Sequence, residues 1–287
     1  MTTSNLPSRR ADRNKPGRQP ALPRIAVAHE SQLPVFQPTR RPAPLVRHRC
    51  ETPYGTVTVT GRLGQGHRDL LDAILFCREK IHIVDDRLSV MVDPYQLRKT
   101  ISAGRTMLPY AHIHKLMRDL RLAEVEMEWH STKRSYRSTD AIIATVVEST
   151  ATKRVATGTF AQRSEDGADK DHRDMLKITF GQGMTRLLRD DHNVHYALDT
   201  VVGMKHGLSQ AIARYCLSHR EVHEGFDGIC ERVGFNAGRK TTSASRKAKM
   251  ELLDDADVLA TLGIHVHPNG SVHRRGSGSG VTHIPGR

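Results

Sequence analysis

The chain has 287 residues, with 44 Lys plus Arg against 31 Asp plus Glu, a formal net charge of +13 and a sequence pI of about 9.9. Hydrophobic residues make up 37%, enough for two small domains at roughly 100–200 residues per domain, and no apolar run approaches the ~18 residues of a membrane span. A surplus of cations this large points to a polyanionic partner, of which nucleic acid is the commonest.

The opening MTTSNLPSRRADRNK has no apolar stretch of the secretory kind. The four cysteines, Cys50, Cys77, Cys216 and Cys230, form no CxxC pair. They are expected to be reduced and mostly buried, in a cytoplasmic protein. A phosphate-loop ATPase is excluded, because no GxxxxGK[ST] occurs and the nearest approach, GRLGQG at 61–66, lacks the lysine.

Residues 1–49 carry ten Lys/Arg, only Asp12 and Glu30 as acids, and eight of the 13 prolines. With no periodic apolar pattern, the segment is expected to be a disordered basic arm, either a solvated linker or a non-specific attractor of phosphate backbones. Order is expected from Thr52. TVTVTG alternates as a strand does, and GHRDLLDAILFC places Leu70, Leu71, Ile74 and Leu75 on one helical stripe. KIHIVDDRLSVMV reads as two strands around an Asp85-Asp86 turn. In DPYQLRKTISAGR, Asp93 can cap a helix, Pro94 suits its first position, and Leu97 and Ile101 face inward. After Gly104, Ile113, Leu116, Met117 and Leu120 mark a further helix. The strands AEVEMEW, AIIATVVE, RVATGTF and MLKITFG follow. Helix, hairpin, helix–turn–helix and antiparallel strands form a winged-helix order over 52–181.

The span 184–275 repeats the plan. YALDTVVGMKHGLSQAIARYCLSH carries Leu208, Ile212, Tyr215 and Cys216 on one face. EGFDGICERVGF gives a short helix stopped by Gly234. SASRKAKMELLDDADVLATLGI reads as one longer helix, with Ser243 as cap and Leu252, Leu253, Leu259 and Leu262 inward. An Asn269-Gly270 hairpin closes the unit, and 276–287 form a flexible tail. The expected class is α+β, two tandem winged-helix domains preceded by the arm.

Asn236 to Met250 holds Arg239, Lys240, Arg246, Lys247 and Lys249 with no acid, interleaved with hydroxyls from Thr241, Thr242, Ser243 and Ser245. The acids Glu251, Asp254, Asp255 and Asp257 follow only beyond it. Charge polarised along one helix suits a recognition helix whose N-terminal part enters the major groove. In the first half, Lys115, Arg118 and Arg121 lie on the second helix of the helix–turn–helix, diluted by Asp119 and Glu124. They fit an accessory DNA contact or a protein interface equally.

The stretch GIHVHPNGSVHRR, 263–275, raises a different chemistry. His265 and His267 flank one valine, and on a strand both imidazoles share a face, a metal-ligand spacing. Nicking enzymes built on such a pair need a nucleophilic tyrosine that usually follows it, and here the last is Tyr215. No third ligand is evident nearby, whereas Asn269, His273, Arg274 and Arg275 are what a wing along a phosphate backbone would use. His112 and His114 fall on a helix, where i and i+2 do not share a face. No metal site and no cofactor are expected.

With two winged-helix halves and a basic recognition helix in the second, the chain resembles the plasmid replication initiator (Rep) proteins, nearest the RepA-type iteron-binding family. The motifs are GRLGQGHRDLLDAIL in the first half and FDGICERVGF, SRKAKMELL and LATLGIHVHPNG in the second. The resemblance implies main DNA recognition through the second domain, at Arg239, Lys240, Ser245, Arg246, Lys247 and Lys249, with the Asn269-Gly270 hairpin as wing, and dimerisation or accessory contact through the first. It implies a non-enzymatic protein that binds direct repeats of double-stranded origin DNA, helps open the duplex and represses its own promoter. Partners so implied are the host initiator DnaA, the replicative helicase, chaperones and a second copy of itself. A tandem winged-helix transcriptional regulator would carry the same features, and a nicking enzyme is the third reading.

Overall fold

The computed structural model describes residues 26–27, 31–53, 55–130, 135–148, 175–190, 193–235 and 242–275. In chain order the elements are β1 (Ala26–Val27), β2 (Leu45–Thr52), β3 (Gly55–Gly61), α1 (Gln65–Cys77), β4 (Arg78–Val84), β5 (Arg87–Val92), α2 (Pro94–Ser102), α3 (Tyr110–Leu122), β6 (Glu124–His130), β7 (Ser135–Asp140), β8 (Ile143–Glu148) and β9 (Leu176–Phe180). Then come α4 (Gln182–Asp190), β10 (Asn193–Val194), α5 (Leu198–Gly203), α6 (Gly207–Leu217), β11 (Glu221–Glu224), α7 (Phe226–Arg232), α8 (Thr242–Asp254), α9 (Ala256–Thr261), β12 (Ile264–Val266) and β13 (Val272–Arg275).

The first half holds two four-stranded antiparallel sheets, ordered β2-β3-β6-β7 and β4-β5-β9-β8. Period-two patterning makes the first one-sided: Val57, Val59, Val125 and Met127 are buried, while Thr56, Thr58, Glu124 and Glu128 face out. In the second sheet, Asp85 and Asp86 both take positive φ, 50° and 56°, as the central pair of a two-residue turn between Val84 and Arg87. At α2 the Asp93 carboxylate accepts the Tyr95 N–H at 2.8 Å, with Pro94 at the first position. The chain leaves that helix through Ala103 and Gly104, both left-handed.

In the second half, α6, β11, α7 and α8 precede the β12–β13 hairpin, and the three strands stand in the order β11-β13-β12. β11 was not expected, and neither was β7. The long helix expected from SASRK to Leu262 is two helices. The break falls at Asp255, which is 1% exposed and whose carboxylate accepts the backbone N–H groups of Lys205 and His206 at 3.1 and 3.0 Å. It thereby satisfies donors at the start of α6. Ser243 lies inside α8 and does not cap it. The strand expected at RVATGTF lies outside the described residues, as does 276–287.

The expectation of a disordered arm through residue 49 is corrected at Ala26–Val27, which pair with β10, and from Ser31 onward. Leu33, Val35 and Phe36 are buried in the hydrophobic core, and Leu45–Thr52 is a sheet strand. The stretch runs between the halves. The Thr39 carbonyl accepts the Gln65 N–H at 2.9 Å, and Arg40 donates to the Val202 and Met204 carbonyls at 2.9 and 2.6 Å. A Cβ at Gly207 would lie 2.6 Å from the Thr39 Cα, so only glycine admits this approach. Its prolines hid the packing: Pro34, Pro38 and Pro42 suppress regular structure without preventing burial.

Beneath that strap, charged side chains join α1 to α6. Arg214 donates to Asp69 at 2.6 Å, Asp72 at 2.9 Å and the Gln65 side-chain carbonyl at 2.7 Å. Arg68 meets the other Asp72 oxygen at 2.9 Å, and the Tyr196 hydroxyl donates to Asp72 at 2.7 Å. Two arginines against two carboxylates leave the group neutral. Burial opposes the charge on Arg214, but Asp72, Tyr196 and Asp69 outweigh it and hold the guanidinium charged. The apolar core is correspondingly continuous, from Leu33 through α1 and α6 to Val272.

Candidate nucleic-acid interface

α8 stands on the core through Ala248 and Leu252, one turn apart, both buried. That register turns Thr242, Ser243, Arg246 and Lys247 outward and leaves Ser245 and Lys249 half-buried at the flanks. Arg246 has no acidic partner among the described residues. Lys247 has Glu251 one turn on at 3.8 Å, a contact so exposed that it holds the ammonium only weakly. Arg239, Lys240 and Thr241 lie outside the described residues. Of the acids beyond Met250, Asp254 accepts from Lys205 at 3.1 Å and His206 at 2.9 Å, Asp255 is buried, and Glu251 stands beside Lys247. The first turns, Thr242 to Lys249, therefore carry cations and hydroxyls and no acid of their own, with Glu251 one turn on as the carboxylate in reach.

The hairpin is built differently from a two-residue Asn-Gly turn. The Gly270 N–H bonds to the His267 carbonyl at 2.7 Å, and His267 N–H bonds to Ser271 at 2.9 Å. Pro268 and Asn269 fill the central turn positions and Gly270 follows with φ 86°, the three-residue pattern in which glycine supplies the left-handed residue. A Cβ at Gly270 would also press on the Phe226 ring at 3.1 Å. The Asn269 side-chain oxygen accepts from Ser271 N–H and hydroxyl at 3.0 and 2.8 Å, so that end of the amide is turned into the loop.

Arg274 is withdrawn from the DNA-contacting set. It is 8% exposed, and its guanidinium donates to the carbonyls of Cys216, at 3.0 Å, and His219. A cation at the C-terminal end of α6 is where a helix dipole favours one. Arg275, the next residue, is exposed. Alternation explains the split, since consecutive strand residues face opposite ways.

The question of a third histidine beside His265 and His267 is answered by β11. His273 pairs in register with both His265 and His223. The His273 ring stands 4.6 Å from that of His267 and 5.0 Å from that of His223, and the two Nδ1 atoms of His223 and His273 are 3.3 Å apart. His223 also meets Glu221 at 3.0 Å. Sequence reading missed His223 because 42 residues separate it from His265 and its strand was not expected. Among the described residues no three His, Cys, Asp or Glu side chains stand where they could hold a metal ion.

In the first half, Lys115, Arg118 and Arg121 are all exposed on α3. Asp119, expected to dilute them, is turned to the buried His67 at 3.3 Å. Burial lowers the His67 pKa, against the hydrogen bond to Asp119 that raises it. Cys216 and Cys230 are buried, Cys50 and Cys77 half-buried, and none of the four is in a disulfide. No helix among the described residues is long and apolar enough to cross a membrane.

No known family profile matches the sequence, and no curated protein matches it. The fold is similar to the crystal structure of domains 2 and 3 of RctB, with a TM-score of 0.52 at 11% identity, over 87% of this chain and 97% of that one. A selenomethionine derivative of the same two domains gives 0.52 at 9% identity, over 88% and 99%. The chain thus has the mixed α+β fold of RctB domains 2–3, with antiparallel sheets.

Proposed function

We propose that the chain is a non-enzymatic replication initiator that grips double-stranded origin DNA through α8 and the β12–β13 hairpin. The observation that carries this reading is the outward face of the first turns of α8, which hold no acid and present Thr242, Ser243, Arg246 and Lys247 together. The fold shared with domains of RctB, itself a replication initiator, supports it.

The element order supports a winged-helix reading of both halves. In the second, α6, β11, α7, α8 and the β12–β13 hairpin stand in the required sequence, with the first strand beside the last. In the first, α1, β5, α2, α3, β8 and β9 repeat it, with sheet order β5-β9-β8, while β4 and the β6–β7 pair are additions. On this reading α8 lies in a major groove, Arg239, Lys240 and Arg246 supply base or phosphate contacts, and Arg275 and the hairpin follow the backbone. Lys115, Arg118 and Arg121 give the first half an accessory contact.

The RepA-type assignment is part of the same proposal: direct repeats are bound, the duplex is bent or strained and a nearby A+T-rich region is opened. DnaA, the replicative helicase, chaperones and a second copy are the partners that follow, with autorepression, a plasmid-borne gene and a cytoplasmic location. No cofactor is required. The test is footprinting of the DNA flanking the gene. Protection of tandem direct repeats, weakened by roughly 1–3 kcal/mol in Arg246→Ala if that residue reads a base, supports the reading. Protection of a single palindrome favours a transcriptional regulator, and no protected site overturns both.

A further inference from the structure

The outer face of the β11-β13-β12 sheet gathers more histidine than a phosphate-contacting hairpin needs. His265 projects from β12, His273 from β13 and His223 from β11, in adjacent cross-strand positions, and His267, just past the end of β12, has its ring 4.6 Å from that of His273. The other charged groups on that face are Glu221 on β11 and Arg275 on β13, paired in register, with Arg220 just before β11. Glu224 and Arg274 belong to the opposite face, meeting Arg232 of α7 and the end of α6. One carboxylate thus stands among four imidazoles, and it is committed to His223.

The 3.3 Å separation of the His223 and His273 Nδ1 atoms has a chemical consequence. Two ring nitrogens at that distance share one hydrogen, one donating and the other accepting. A second proton would set two N–H groups against each other. The pair therefore cannot be doubly charged in this arrangement unless an anion accepts from both rings. His273 sits below the ordinary histidine range, from burial and then from the charge its neighbours His267, His223, Arg275 and His265 would carry.

We propose that this face is a proton-linked phosphate-binding surface: the His223–His273 pair shares one hydrogen between its facing ring nitrogens in the free protein and takes up a further proton as DNA phosphates settle on the face. The inference rests on the DNA-binding reading and adds to it a regulation, because affinity would rise as pH falls through the histidine range. No covalent step is involved. A phosphate oxygen accepts from the newly formed imidazolium N–H, and the proton comes from solvent.

The probe is a fluorescent duplex of about 30 base pairs, with Kd measured by anisotropy from pH 8.5 to 6.0 at fixed ionic strength. Each proton taken up tightens Kd by up to about tenfold per pH unit, so wild type should gain at least tenfold across the range. The His223→Gln/His273→Gln double variant, whatever its affinity at pH 8.5, should lose most of the gain. Arg246→Ala should bind more weakly throughout yet keep the pH dependence. Titration calorimetry at pH 7 in buffers of different ionisation enthalpy should count at least one proton taken up by wild type and fewer by the double variant. A Kd independent of pH, or equally pH-dependent in the double variant, overturns the inference and leaves DNA binding standing. Absence of duplex binding at every pH overturns both.

Discussion

Replacing Arg214 by methionine, which keeps the length of the side chain and removes its charge, isolates the buried join between the halves. In the native protein Arg68 and Arg214 balance Asp69 and Asp72, all four nearly inaccessible to solvent. The variant leaves two carboxylates against one guanidinium, and the Gln65 carbonyl without its donor. Breaking a buried pair by removing one partner costs about 3–5 kcal/mol. At roughly 2–4 °C per kcal/mol for a domain of this size, the midpoint should fall by about 6–20 °C. Asp69, left with only the neutral Gln210 amide as donor, has its pKa raised by burial, so the folded variant binds more protons than its unfolded chain, and its deficit should shrink as pH falls from 7 towards 5. Far-UV circular dichroism reports both halves, and the single tryptophan, Trp129 on β6, reports the first. Both signals should move together. Asp69→Asn added to Arg214→Met restores the charge balance and should recover part of the loss. A destabilisation below 1 kcal/mol, or a second transition that moves while the Trp129 signal stays put, would refute the idea that this group locks the halves together.

Further outcomes follow from the same structure. Deleting residues 1–24 removes six cations, Arg9, Arg10, Arg13, Lys15, Arg18 and Arg24, and leaves β1 in place. It should flatten the log–log salt dependence of duplex binding by up to ~5, at ~0.9 per lost contact. Deleting 1–45 should instead destabilise the fold, because Leu33, Val35, Phe36 and Arg40 go with it. Stability should fall below about pH 6.5, the ordinary histidine value. Burial lowers His67 and His219, so the folded state binds fewer protons there than the unfolded chain, and the loss grows as pH drops. It is read as the denaturant midpoint at pH 5.5 against 7.5. His265→Gln/His267→Gln should leave DNA binding at pH 8 qualitatively intact. Wild type incubated with divalent metal and supercoiled DNA carrying its origin should produce no strand break on a denaturing gel. Metal-dependent nicking lost in the double variant would make the protein an enzyme.

Much of the fold was legible where pattern is local. Val57 and Val59 alternate with threonines, Leu70 to Leu75 repeat at helical spacing, and Asp93-Pro94 announces a helix start. Each is settled by neighbours within one or two turns. What escaped depends on distant partners. Residues 31–44 look like linker because prolines and arginines mask an anchor that closes only against α1 and α6. β11 has too few residues to show a period and exists because β13 pairs with it. The break at Asp255 serves two N–H groups fifty residues away. Of the site, the basic face of α8 was readable from charge order alone. The burial of Arg274 was readable in principle from strand parity with Val272, but the tempting His-Arg-Arg run concealed it. The four-histidine face needed the sheet order.

We propose that this chain starts DNA replication by gripping its own origin through α8. The most direct measurement is a replication assay: a small replicon bearing the DNA that flanks the gene, with no other initiator, introduced into a permissive bacterial host. Replication is expected when the wild-type chain is supplied from a second DNA. It should be lost with Arg246→Ala/Lys247→Ala, a variant that should fold normally because both side chains are exposed. Replication sustained by that variant, or none with the wild-type chain despite a protected site in the same DNA, would contradict the account.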